Sequence, residues 1–102
     1  MATPLTDATT ERIVQLFALA DRDLVSALLL DECGEHLPLL SSSDSAAIER
    51  IRFAVLKLSG GDLDALERAV GLAKTDWRDV LVAAGFGSDV KAHFRWWPDA
   101  HV

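Results

Sequence analysis

Five side chains able to do chemistry fall within six residues: Asp31, Glu32, Cys33, Glu35 and His36. Cys33 and His36 have the separation of a zinc-ligand pair, and thiolate with neutral imidazole is a donor set that zinc accepts. A structural zinc site needs four ligands. The other histidines, His93 and His101, lie far along the chain and there is no second cysteine, so no metal centre is predicted. Cys33 with His36 or His93 would also supply a nucleophile and a base. The cysteine falls at the C-terminal end of a predicted helix, where the dipole raises a thiol pKa, and nothing near it resembles an oxyanion hole. An enzyme built on this stretch requires Glu32, Glu35 and His36 to converge in a cleft. The plainer reading is a helix terminus, with Gly34 as its left-handed cap and His36 near the negative end of the dipole. Gly60, Gly61 and Asp62 look superficially like a phosphate loop, but they lack its lysine and its preceding strand and read as a turn. The sequence therefore predicts no catalytic residue and no cofactor.

The aromatic residues suggest recognition instead. Trp77, Trp96 and Trp97 all lie in the last quarter, with Phe86 and Phe94 beside them. Adjacent tryptophans cannot share one helix face, because neighbours differ by about 100°. If Trp97 packs inward with Phe94, Trp96 turns elsewhere, toward His93 or Arg95. An indole half in solvent beside Arg and His has the composition of an interface hot spot; alternatively Trp96 folds back over the preceding helix as a lid. A pocket between the last helices, lined by Trp77, His93 and Trp96, is the second use this end suggests, for a small molecule or a metal.

Charge divides the chain. Residues 1–47 hold eight acids and two bases, a net of −6, while residues 48–102 balance eight against eight. Asp21, Asp23, Asp31, Glu32 and Glu35 are the acids of the second predicted helix and its end. An acidic face repels phosphate and attracts basic partners, so nucleic-acid binding is not expected. The same acids also suffice simply to keep an apolar protein soluble. Arg50, Arg52, Lys57, Arg68, Lys74, Arg78, Lys91 and Arg95 alternate with acids and read as solvated, ion-paired helix faces.

These groups need elements to hold them. Half the residues are apolar and a quarter charged, the balance of a globular chain, and 102 residues suit one domain. Leu and Ala total 31 against 11 for Val and Ile, which favours helices over strands. No basic start followed by an apolar run marks a signal peptide, and no apolar run approaches the roughly 20 residues of a membrane span. One cysteine suits a reducing compartment, and the expected location is cytoplasmic.

The periodicity predicts an all-α bundle of helices near 7–20, 21–33, 45–58, 62–73 and 76–84, with a short sixth near 89–96 and a frayed tail over 97–102. Thr6 or Asp7 caps the first. Ile13, Leu16, Phe17 and Ala20 form its apolar face, and the pattern resumes nearly in phase after Asp21, Arg22 and Asp23, so residues 7–33 also fit one helix. Ile48, Ile51, Val55 and Leu58 make the clearest stripe; Phe53 lies off it and needs a second contact surface. Asp62 caps the next helix, and Thr75 with Asp76 reads as a fresh start within 62–84. Gly85 closes that segment as a Schellman motif, with Phe86 placed against Leu81.

The stretch Leu66, Glu67, Arg68, Ala69, Val70, then residues 73–79, then Val82, Ala83, Ala84, Gly85 and Phe86, followed by His93 and Trp96, resembles a small bacterial protein family with no established activity. The resemblance spans roughly residues 48–98. It implies a bacterial cytoplasmic origin and no catalytic or cofactor residue.

The functional expectation is a non-enzymatic protein-binding module: an adaptor, inhibitor or immunity-like protein. Its interface candidates are Asp21, Asp23, Asp31, Glu32, Glu35, Trp77, His93 and Trp96, its partner a basic protein or a second copy in a homodimer. Neither nucleic acid nor membrane is expected as a partner.

Overall fold

A computed structural model describes residues 3–34, 37, 45–87 and 92–98. Among them the fold is an all-α bundle of five helices: α1 (Asp7–Leu16), α2 (Leu19–Glu32), α3 (Ser45–Ser59), α4 (Leu63–Ala83) and α5 (Ala92–Arg95). Helix α3 is the axis of the molecule. Every residue from Ile51 to Leu56 is buried, because α4, α1 and α5 cover it from different sides. Phe53 finds the second surface it needed between α1 and α5. No helix of the described residues is long and apolar enough to cross a membrane.

Helix α1 begins where Thr6, in extended conformation, accepts a hydrogen bond from the Thr9 amide at 3.1 Å. It ends earlier than the apolar periodicity suggests. Phe17 leaves the helix at φ −121° and ψ 145° and is buried. The guanidinium of Arg22 donates to the carbonyls of Phe17 and Val14 at 3.0 and 3.1 Å, satisfying acceptors that the break exposes. The expected boundary at residues 20 and 21 therefore moves to Phe17 and Ala18. Asp21 lies in the first turn of α2, where the helix dipole favours it.

The end of α2 also differs from expectation. Cys33 is the cap at φ −119° and ψ 67°, and Gly34 is not among the described glycines with positive φ, which are Gly60, Gly61 and Gly85. The terminal carbonyl of Cys33 instead accepts from Arg52 Nε at 2.8 Å.

A tight turn folds α4 back along α3. Gly61 sits at φ 88°, and a Cβ there would lie 2.7 Å from the Leu16 carbonyl oxygen, so only glycine lets the turn approach the end of α1. Asp62 then caps α4 by accepting from the Asp64 amide at 3.0 Å. The interruption expected near residues 74–75 occurs at Asp76, whose backbone is extended (φ −158°, ψ 104°). Thr75 stays in the first segment, donating back to the Gly71 carbonyl. Asp76 caps the second by accepting from the Arg78 amide at 3.1 Å. The Schellman closure is present: the Phe86 amide bonds to Leu81 O at 2.8 Å and the Gly85 amide to Val82 O at 3.0 Å. Leu81 and Phe86 are buried in the common core. Residues 88–91, the expected start of the last helix, fall outside the described residues, as do the expected tail residues 99–102.

Candidate functional site

The site is organised by a buried cation. Arg12 projects from α1 and is 2% exposed. Its Nε donates to the Trp96 carbonyl at 3.2 Å and its terminal nitrogens to the carbonyls of Ala8 (3.0 Å) and Phe94 (3.4 Å). The central carbon of the guanidinium lies over two rings, 4.3 Å from the centroid of Phe53 and 3.6 Å from that of Trp97. Burial pulls the pKa of Arg12 down from its ordinary value, and the nearby carboxylates of Glu11 and Glu49 act against that. A guanidinium stays protonated through such a change.

This arrangement reverses the expected roles of the two adjacent tryptophans. Trp96 turns inward, half-buried against the core with its ring 6.4 Å from those of Phe53 and Phe86. Trp97 is drawn onto α1 by the Arg12 stack and remains 48% exposed, and Phe94 is 50% exposed. The indole of Trp97 closes a notch of about 250 Å³ whose other walls are Thr10, Glu11, Val14 and Gln15 of α1. Val14 is itself half exposed. The aromatic end and the acidic half therefore meet in one surface.

The remaining interface candidates are dispersed. Asp23 and Asp31 are exposed on the outward stripe of α2, together with Ala20, Leu24 and Ala27. Asp21 and Glu32 lie toward its flank; Glu32 is paired with Lys74 at 2.7 Å. Glu35 lies outside the described residues, as does His36. Trp77 is half-buried against the core with its indole nitrogen unpartnered. His93 is 3% exposed, boxed by Phe53 (5.0 Å) and Phe94 (4.0 Å), with Nε2 3.6 Å from a Glu49 oxygen. Burial depresses its pKa, and Glu49 opposes this. Phe53 and Phe86 bring His93 and Trp96 together. Trp77 shares no ring contact with either and the three line no common cavity among those described.

A second cavity, of about 420 Å³, lies between the N-terminal segment and α3, with Pro4, Thr6, Thr9, Glu49 and Arg52 among its walls. The Cys33 thiol is fully buried and burial pushes its pKa up to about 12, so it carries no thiolate at neutral pH. Among the described residues no group of three or more His, Cys, Asp or Glu side chains is placed to hold a metal.

The basic residues are used differently from the solvated, ion-paired role their sequence suggests. Arg52 is 1% exposed and donates to the carbonyls of Cys33, Pro4 (3.2 Å) and Thr3 (2.9 Å), tying the N-terminal segment and the end of α2 to α3. Lys57 donates to Ala84 O at 2.8 Å and Arg50 to Phe86 O, closing the end of α4. Lys74 and Arg78 do form exposed ion pairs, with Glu32 and Asp76. A signal for the buried cations existed in the sequence. Arg52 stands four residues after Ile48 and beside Ile51, inside the apolar stripe, and Arg12 stands four after Ala8 and four before Leu16.

Compared with known protein families, curated proteins and solved structures, the chain matches none. The family resemblance carried by residues 48–98 thus has no counterpart among these matches.

Proposed function

We propose that this protein is a non-enzymatic binding module, working in the cytoplasm, that grips another protein through the surface made by α1 and the aromatic residues Phe94 and Trp97. The observation that carries this is the pinned, half-exposed Trp97 beside Val14 and Glu11. An indole held rigid by its neighbours gives up little side-chain freedom on binding, which is what makes tryptophan an effective anchor. The acids of α1 and α2 support a basic partner. The two bases of residues 1–47, Arg12 and Arg22, both point their donors at main-chain carbonyls, and among the described residues Glu32 is the acid of that half that a base from elsewhere, Lys74, pairs with.

The test is affinity capture from a native lysate with the wild-type protein and with Trp97→Ser, paired with light scattering for mass. A protein retained stoichiometrically by the wild type and lost with Trp97→Ser supports the reading. A monomer that retains nothing overturns it.

A second reading, small-molecule binding, is favoured by the cavity beside Glu49 rather than by the expected grouping of Trp77, His93 and Trp96. Its volume of about 420 Å³ is within the range of small-ligand pockets. A fragment screen by NMR that shifts Thr9 and Glu49 resonances saturably would favour it over the first.

A further inference from the structure

We infer that the occupant of the notch between Val14 and Trp97 is an apolar side chain carried on a basic amphipathic segment of another protein, and not a second copy of this chain. This rests on the protein-binding reading and specifies the partner's chemistry.

The notch has the dimensions of a side-chain socket. Its volume of about 250 Å³ is below the usual span of small-molecule pockets, and Val14 and Trp97 provide its apolar walls. The inner face of Trp97 already holds a cation, the Arg12 guanidinium at 3.6 Å. A second cation stacked on the outer face would meet a ring whose negative face is already engaged, and would be repelled by Arg12 behind it. The outer face is therefore suited to an aliphatic group. Cations belong at the rim, where Glu11 stands. Among the described residues no ion pair reaches Asp7 or Glu11 on α1, nor Asp23 or Asp31 on α2.

The same charges argue against self-association. A two-fold dimer through this surface would set Asp7 and Glu11 of α1 against the same two carboxylates of the second copy, and the exposed base two residues before Trp97 in the chain, Arg95 of α5, offsets at most one of the two. A segment with an apolar row flanked by lysine or arginine meets both requirements at once, which is how basic amphipathic helices are commonly recognised.

The probe is a synthetic amphipathic helical peptide with a leucine row flanked by lysines. It is compared with a version in which serine replaces each leucine, and with one in which glutamate replaces each lysine. Binding is followed by tryptophan fluorescence and by NMR of the indole N–H groups. The lysine–leucine peptide is expected to bind saturably, to shift the Trp97 signal, and to weaken as salt is raised. Trp97→Ala and Glu11→Lys should each weaken it roughly tenfold or more, the loss expected of an anchor or a buried-rim charge. Glu11 is exposed but its carboxylate also acts on Arg12, so Glu11→Gln, which adds no cation beside Arg12, accompanies the second variant and is expected to weaken binding in the same direction. Equal binding of the serine or the glutamate peptide overturns the inference, as does a dimer that Trp97→Ala dissociates. A lysate partner captured through Trp97 but presenting an acidic or uncharged segment overturns it too, while leaving the protein-binding reading intact. Failure of the wild type to capture anything removes that reading itself.

Discussion

The α3–α4 pair and the junction of α1 with α5 are held together by different physics. Between α3 and α4 the contact is an apolar seam in which Ile51, Val55, Leu66, Val70 and Ala73 are buried, closed by a tight glycine turn. Burial of this kind is non-directional and tolerates small errors of register. At the junction the contact is an arginine that reaches three carbonyls and two rings. It is directional, and the carbonyls of Phe94 and Trp96 lose the guanidinium if the side chain is removed. Any well-filled apolar set would build the α3–α4 core, whereas a single side chain positions the surface at the junction.

Removing Phe53 should have the largest effect, because it belongs to both regions. Phe53→Ala leaves a cavity under α1 and α5, with an expected loss of about 4 kcal/mol; urea denaturation reads it directly. Arg12→Ala should cost less, about 2–3 kcal/mol, since the carbonyls of Phe94 and Trp96 partly regain water. Its diagnostic is local. Trp97 becomes more accessible to acrylamide quenching, while amides of α3 and α4 keep their hydrogen-exchange protection. Equal loss of protection in both regions would mean that a single cooperative unit holds both.

Acid should act on the junction next. Burial holds the pKa of His93 below its ordinary value of 6.5 despite Glu49, with Arg50 and Arg12 also opposing its protonation. The unfolded chain then binds a proton that the folded chain refuses. The stability contributed by neutral His93 is fully present above about pH 6.5 and is lost as pH falls below it. Denaturation of the wild type and of His93→Gln from about pH 7.5 to about pH 5 should show the difference between them shrinking on acidification. A widening gap would mean that Glu49 outweighs burial. The smallest effect belongs to Lys74→Ala. Its exposed pair with Glu32 should leave the denaturation midpoint unresolved from wild type, as exposed pairs generally do.

Much of the α3–α4 region was legible in the sequence, because helical spacing and turn chemistry are local. The stripe of Ile48, Ile51 and Val55, the Asp62 cap and the Gly85 closure all follow from residues within a few positions of one another. The α1–α2 break lies earlier than periodicity places it because its cause is tertiary: Phe17 is pulled into the core, and Arg22 then satisfies the exposed carbonyls. Gly34 departs from its expected left-handed conformation where α2 ends at Cys33, whose own carbonyl is held from another helix by Arg52. At the site, an aromatic-rich end was visible but its polarity was not. Which of Trp96 and Trp97 faces solvent depends on Arg12, more than eighty residues away. Charge read along the sequence takes basic residues for surface, and here Arg12 and Arg52 are the largest fully buried side chains.

The reach of Arg12 also orders events during synthesis. Its bonds to Phe94 and Trp96 span 82 and 84 residues, and chain closure over such a distance comes late. Synthesis runs from the N-terminus, and a domain folds as a unit. The α1 segment is therefore made long before the residues that cover its cation, and the Arg12 guanidinium stays hydrated in the meantime. The wall formed by Trp97 arrives only when residues 94–97 do, and until then the notch that the proposed partner would enter does not exist.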